Sequence, residues 1–165
     1  MVTTQFSTTI KCLQSDNGTE FLLHDFYHTN GIIHKTSCVA TPQQNGLVER
    51  KHQHLLSVAR ALRFQSNMPL KYWDECIMTA AYIINRLPLS VLQNKSPFEV
   101  LFNTTPAYEN FHVFGCRIFP CLRDYAANKF YPRSVPCICL GYSTQHKGFR
   151  CLDTATSRIY VSRHA

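Results

Sequence analysis

The sequence predicts an α/β fold, a strand–helix core followed by a small module made only of β-strands. Three observations carry this expectation. Two β-branched runs, "TTIKCLQ" and "IIHKTSCVA", flank a segment of helical character. From Leu47 to Phe64 apolar residues recur at helical spacing, with Val48, Leu55, Val58, Ala59 and Leu62 in one stripe. Beyond Asn103 that periodicity gives way to short apolar runs divided by Gly, Pro, Asn and Ser. With 165 residues, 45% of them apolar, including 11 Phe and 8 Tyr, the chain is long enough for one core, or for a core plus an appended module.

Taken in order, "TTIKCLQ" reads as a strand that stops at Ser15-Asp16-Asn17-Gly18. "TEFLLHDFYHTNG" reads as a helix closed by Asn30-Gly31. "IIHKTSCVA" is a second strand, halted by Pro42 and the loop "TPQQNG", and the helix over 47–64 follows. "LKYWDECIMTAAYIINRLP" predicts another helix, apolar at Trp73, Ile77, Ala80, Ala81 and Ile84, with Trp73 read as core. "SPFEVLF" opens with a capping box, Ser96 as cap, Pro97 in the first turn and Glu99 three residues after the cap. Residues 103–112 read as a polar linker. "VFGCRIFPCL", "VPCICLGYS", "KGFRCLD" and "RIYVS" then read as the strands of a small antiparallel barrel, with "FRCLDTATSRIYVS" as one hairpin.

The net charge of +7 is unevenly placed. Residues 1–49 carry two Lys against four acids, residues 50–102 seven basic groups against three, and residues 103–165 eight against three. A basic body behind an acidic front suits a polyanion that must also meet a cation-binding patch. A basic surface without nucleic acid is the plainer reading. No run of eighteen apolar residues exists, so no membrane span is expected, and "MVTTQFSTTIKCLQ" lacks the apolar core of a signal peptide. An intracellular location is the expectation. The eight cysteines contain no C-x-x-C pair and are expected as buried free thiols.

Two acids stand out. Asp16 is placed at the carboxyl end of a strand, where side chains of an α/β sheet project into a crevice. Glu49 opens the helix after "TPQQNG", where the helix dipole favours a carboxylate. Hard divalent cations take oxygen ligands, and two carboxylates can share a Mg²⁺. Paired ions of that kind activate a nucleophile and stabilise a leaving oxygen. On a helical wheel Glu49, Gln53 and Arg60 fall together, surrounded by Arg50, Lys51, His52, His54 and Arg63. One reading lays this helix along a phosphate backbone with Glu49 aimed at the scissile phosphate. In the other, Asp16 caps a helix, Glu49 offsets a dipole and the basic face is only solvated.

"SDNGTEF", "TPQQNGLVERKHQHLL", "YIINRLP", "SPFEVLF", "FGCRIF", "CICLGYSTQHKGFRCLD" and "RIYVSR" follow one another much as in integrases of copia-type long-terminal-repeat retrotransposons, so that essentially the whole chain resembles this family. The resemblance implies the C-terminal part of a ribonuclease-H-like catalytic core over residues 1–102, a linker over 103–112 and an SH3-like β module over 113–165, cut short at its end. It implies the Mg²⁺- or Mn²⁺-dependent processing of element DNA ends and their strand transfer into target DNA, by a site of two Asp and one Glu. Asp16 matches the second Asp and Glu49 the Glu, as catalytic and metal-binding residues, with Asn45, Arg50, Lys51, Gln53, Arg60 and Arg63 as DNA-binding residues. DNA, and other integrase protomers, are the implied partners, and the nucleus the implied place of action.

Two departures from the family pattern bear on activity. Its first Asp lies on an upstream strand, yet residues 1–15 contain no Asp or Glu. The 32 residues between Asp16 and Glu49 are also fewer than usual, the shortfall falling in "TEFLLHDFYHTNGII". The expectation is therefore a chain that is inactive alone. A non-catalytic nucleic-acid-binding protein is the alternative, and a relic unable to hold its sheet is a third reading. His24, His28, His34 and Cys38 are not expected to bind zinc, since the family's zinc module lies elsewhere.

Overall fold

The computed structural model describes residues 2–37, 46–125 and 128–164 and divides into two units, Met1–Gln53 and His54–Ala165. The first contains α1 (Val2–Phe6), β1 (Cys12–Ser15), α2 (His24–Thr29) and β2 (Ile33–Thr36). Strands β1 and β2 pair in parallel, Cys12 opposite Ile33 and Ser15 opposite Thr36. A parallel pair needs a crossover, which α2 supplies. The helix ends at Asn30-Gly31 as expected, Gly31 adopting φ +64.

The single helix expected over "TEFLLHDFYHTNG" is two pieces, a 3₁₀ turn at Thr19–Phe21 and then the six-residue α2. Leu22 and Leu23, with ψ of 60 and 52, break the helical path between them. Phe21's carbonyl accepts from the Tyr27 hydroxyl at 3.1 Å. Buried Tyr27 also lies against the His34 ring at 4.6 Å. A tertiary contact here overrides helical propensity.

Helix α3 (Gly46–Gln65) begins in the first unit and runs into the second, within two residues of its expected span. Its stripe of Leu55, Val58, Ala59 and Leu62 meets Met68, Cys76, Ala80, Phe114, Leu140 and Leu152 in one core cluster. Val48, placed on the same stripe by its spacing, is exposed, because that core begins only at Leu55.

The second unit continues with α4 (Trp73–Ile84), α5 (Pro97–Phe102), β3 (Arg117–Ile118), β4 (Cys137–Tyr142), β5 (Phe149–Asp153) and β6 (Ile159–Ser162). The strands form an antiparallel meander in the order β3-β4-β5-β6, and β5-β6 is the expected hairpin. Helix α4 lies against β4 with Cys76, Thr79, Ala80 and Ile84 inward, which leaves Trp73 57% exposed. Reading Trp73 as core was therefore wrong. The inward face is turned by two polar anchors that periodicity does not register. Thr79 donates to the Leu140 carbonyl at 3.2 Å, and buried Glu75 pairs with Arg150 of β5, whose Nε lies 2.9 Å from Oε2.

Close approach of α4 to β4 requires Gly141. It sits at φ +103, at the irregularity in the β4-β5 register, and a Cβ there would run into Thr79. Ser96 caps α5 as read, its Oγ accepting from Glu99 N–H at 3.0 Å. Residues 103–112 lie against the end of α4, with the Tyr108 hydroxyl donating to the Arg86 carbonyl at 2.8 Å.

Candidate functional site

Asp16 follows the last residue of β1 directly, its carboxylate exposed. Several bonds define the backbone around it. Asp16 Oδ1 accepts from Gly18 N–H at 3.1 Å, which leaves Oδ2 outside this turn. Asn17 donates to the Ser37 carbonyl at 3.0 Å and Ser37 N–H donates to the Ser15 carbonyl at 3.1 Å, tying the turn to the end of β2. Buried Ser15 donates to the Asp16 carbonyl at 2.9 Å, leaving its oxygen to accept from His34 Nε2 at 2.8 Å. That contact engages one of the four side chains weighed above for zinc; Cys38 lies outside the described residues. The result is a carboxylate held at the carboxyl end of a parallel pair, where an α/β sheet binds ligands.

Glu49 occupies the first turn of α3, also exposed. Arg50, Lys51, Gln53 and Arg60 are exposed along the same helix. Arg63 is half-buried, with its Cζ 4.9 Å from the Phe64 ring centre. Its Nε is buried and has no hydrogen-bond partner among the described residues, so much of this side chain faces protein. Asn45 lies outside the described residues.

Oxygen donors of this kind suit Mg²⁺ or Mn²⁺ in chemistry but fall short in number. Among the described residues no three His, Cys, Asp or Glu side chains gather as a metal site. Two carboxylates would offset only two of the four positive charges on two divalent ions. The residues present therefore do not fit a two-metal centre by themselves.

Sequence reasoning missed a second basic surface. A groove of about 660 Å³ in the second unit is lined by Arg86, His146, Lys147, Arg163 and His164 beside Tyr82 and Phe98. These basic residues are scattered between positions 86 and 164, with no run or motif to mark them. Only the pairing of β5 with β6 brings the last four to one end of the sheet.

The strands of the second unit have a family. Residues 116–165 match the family described as the retroviral polymerase SH3-like domain. Nearly the whole chain is similar to retrotransposon polyproteins. It is 44% identical over 161 residues to the Retrovirus-related Pol polyprotein from transposon RE1 of Arabidopsis thaliana, which covers 97% of this chain and 11% of that polyprotein. It is 43% identical over 165 residues to the polyprotein from transposon RE2 of the same plant, covering 99% and 11%. Nearly the whole chain is thus similar to copia-type retrotransposon Pol polyproteins, as its ordered motifs imply, and it spans about a tenth of the length of the relatives it matches. A chain in the cryo-EM structure of the simian T-cell lymphotropic virus intasome in complex with PP2A regulatory subunit B56 gamma is similar at a TM-score of 0.46 and 19% identity, over 94% of this chain and 58% of that one.

Proposed function

We propose that this chain is the integrase part of such a polyprotein, the C-terminal portion of a ribonuclease-H-like core with its SH3-like module, and that alone it holds DNA without cutting it. The observation that carries the reading is the placement of Asp16. An exposed carboxylate is fixed by the Gly18 N–H at the carboxyl end of β1, inside the very motif that the family resemblance identifies. Glu49 at the head of the basic helix is the second acid of that site. In a site completed by a further acid, Asp16 and Glu49 would hold a divalent ion, which would supply activation of a nucleophile and charge for the leaving oxygen. What this chain contributes is narrower. Asp16 and Glu49 present hard oxygen ligands, while Arg50, Lys51, Gln53 and Arg60 hold a phosphate backbone along α3. A further acid from outside residues 1–165 completes the site, and DNA ends and other integrase protomers are the partners of the completed enzyme.

Binding separates this reading from that of a relic. Fluorescence anisotropy with a labelled duplex is expected to show affinity that falls with a slope of about −0.9 in log K against log salt for each phosphate neutralised. Mg²⁺ is expected to bring no gain in affinity over EDTA, acting only as a competing counterion. A flat salt dependence, or no binding at low salt, contradicts the proposal.

A further inference from the structure

We infer that Cys116 and Cys139 form a site of reversible oxidation, at which a hydroperoxide joins the two thiols as a disulfide across the edge of the four-stranded sheet. Neither DNA nor a divalent ion enters this chemistry, so it stands apart from the function proposed above.

Backbone geometry brings the pair together. Gly115 N–H donates to the Cys139 carbonyl at 2.8 Å, and Cys139 N–H donates to the Cys116 carbonyl at 2.9 Å. Gly115 and Cys116 thus stand together opposite the single residue Cys139, as a bulge at the start of β3. Gly115 permits it by adopting φ +80, where a Cβ would also run into Ser66. Beyond the bulge the pairing is regular, Arg117 opposite Ile138 and Ile118 opposite Cys137. Residues facing each other in such a ladder have Cα atoms about 4.5–5.5 Å apart, inside the range of about 4.4–6.8 Å that a disulfide spans. The Cys116 and Cys139 thiols are already in hydrogen-bond contact, and Cys116 packs on the cluster that contains Cys137, Cys139 and Cys151.

Access and reactivity select this pair among the four thiols gathered there. Cys137, Cys139 and Cys151 are buried, whereas Cys116 is half-buried. Cys139 and Cys151 face each other in the β4–β5 register, but neither meets solvent, and burial raises both above the range in which thiolate is plentiful. Cys137 lies opposite Ile118 and Asp153, two positions along β4 from the residue that faces Cys116. Among the described residues no three His, Cys, Asp or Glu side chains gather to hold a metal ion, so a soft-metal site does not compete for these thiols. What remains is a two-thiol reaction with one entrance. The Cys116 sulfur attacks the peroxide, breaks its O–O bond and becomes a sulfenic acid, one water leaving. Cys139 then gives up its proton, its sulfur attacks Cys116 Sγ, and the sulfenic hydroxyl leaves as a second water. The two thiols have lost two hydrogens and two electrons, and hydrogen peroxide has become two waters. The bond ties β3, only two residues long, to β4.

The test treats the whole chain, fully reduced, with hydrogen peroxide at pH 8, alkylates the remaining thiols and maps disulfides by mass spectrometry. The expected product is a cross-link from Cys116 to Cys139, lost on adding dithiothreitol. Closing that loop should raise the melting temperature by about 5 to 15 °C over the reduced chain. In Cys116→Ser, Cys139 should stay reduced and peroxide should bring no such rise. In Cys139→Ala, Cys116 should stop at the sulfenic acid and be captured by dimedone. Should that variant fail to fold, the wild type quenched early gives the same reading, a dimedone adduct on Cys116 that precedes the cross-link. A link from Cys116 to Cys137, or from Cys139 to Cys151, overturns the pairing. Sulfinic acid on Cys116 beside a free Cys139 thiol shows that the two sulfurs do not meet, and overturns it too. So does a wild type in which both thiols stay reduced. A wild type that forms the cross-link and binds no DNA contradicts the function proposed above and leaves this site standing.

Discussion

Single side chains decide much of the chemistry this molecule can and cannot do, and the cysteines are the clearest case. Cys76, Cys137, Cys139 and Cys151 are buried, whereas Cys12 and Cys121 are exposed. Burial pushes the Cys139 thiol up to about 11 and that of Cys151 up to about 12, because a thiolate among apolar neighbours loses its hydration. Iodoacetamide at pH 8, read by mass spectrometry, should label Cys12 and Cys121 promptly and Cys139 and Cys151 only in denaturant. The sign of the linkage follows. A thiol raised in the folded state favours folding below its unfolded value of about 8.5 and withdraws that support as pH rises through 11. Stability should therefore decline on the alkaline side. Prompt labelling of Cys151 in the native chain would contradict this account. Small apolar-strand cysteines were legible as buried thiols at 137 and 139, since their strand is almost wholly apolar. The exposure of Cys12 and Cys121 was not, because it depends on which strand face the neighbours cover.

At the scale of elements, an apolar cluster joins helix to sheet, and polar anchors set the orientation. Glu75 on α4 and Arg150 on β5 make a forked pair with the carboxylate buried and the guanidinium partly exposed. Arg150→Ala leaves a buried carboxylate without its partner and is expected to cost about 2–4 kcal/mol in urea unfolding, less than a wholly enclosed pair would. Adding Glu75→Leu to that variant should recover part of the loss. Equal stability of Arg150→Ala and the wild type would remove the pair from the account. Here the limits of sequence reading have a physical cause. Helix α3 and the Ser96 cap were visible because local forces set them, apolar spacing in one and a hydroxyl facing an amide in the other. The orientation of α4 was not, because Thr79 and Glu75 draw it round by bonds to residues some 61 and 75 positions away. The helix after Asp16 failed for a more local reason, the Tyr27 hydroxyl claiming, six residues back, a carbonyl that a continuous helix would use.

For the molecule as a whole, charge and ligand count point the same way. Basic groups occupy one helix face and one groove, and among the described residues no three His, Cys, Asp or Glu side chains gather as a metal site. Asp16 and Glu49 are proposed as site residues because each lies in a motif of the family resemblance. The groove could not be read from the sequence, since four of its five basic residues come together only through strand pairing. Nothing in this arrangement requires catalysis for DNA to be held. The most direct measurement is therefore a nicking assay on supercoiled DNA with the purified chain in Mg²⁺ or Mn²⁺, alongside Glu49→Gln. The account predicts no metal-dependent nicking from either protein, with DNA binding retained in both. Metal-dependent nicking by the wild type that disappears in Glu49→Gln would contradict it.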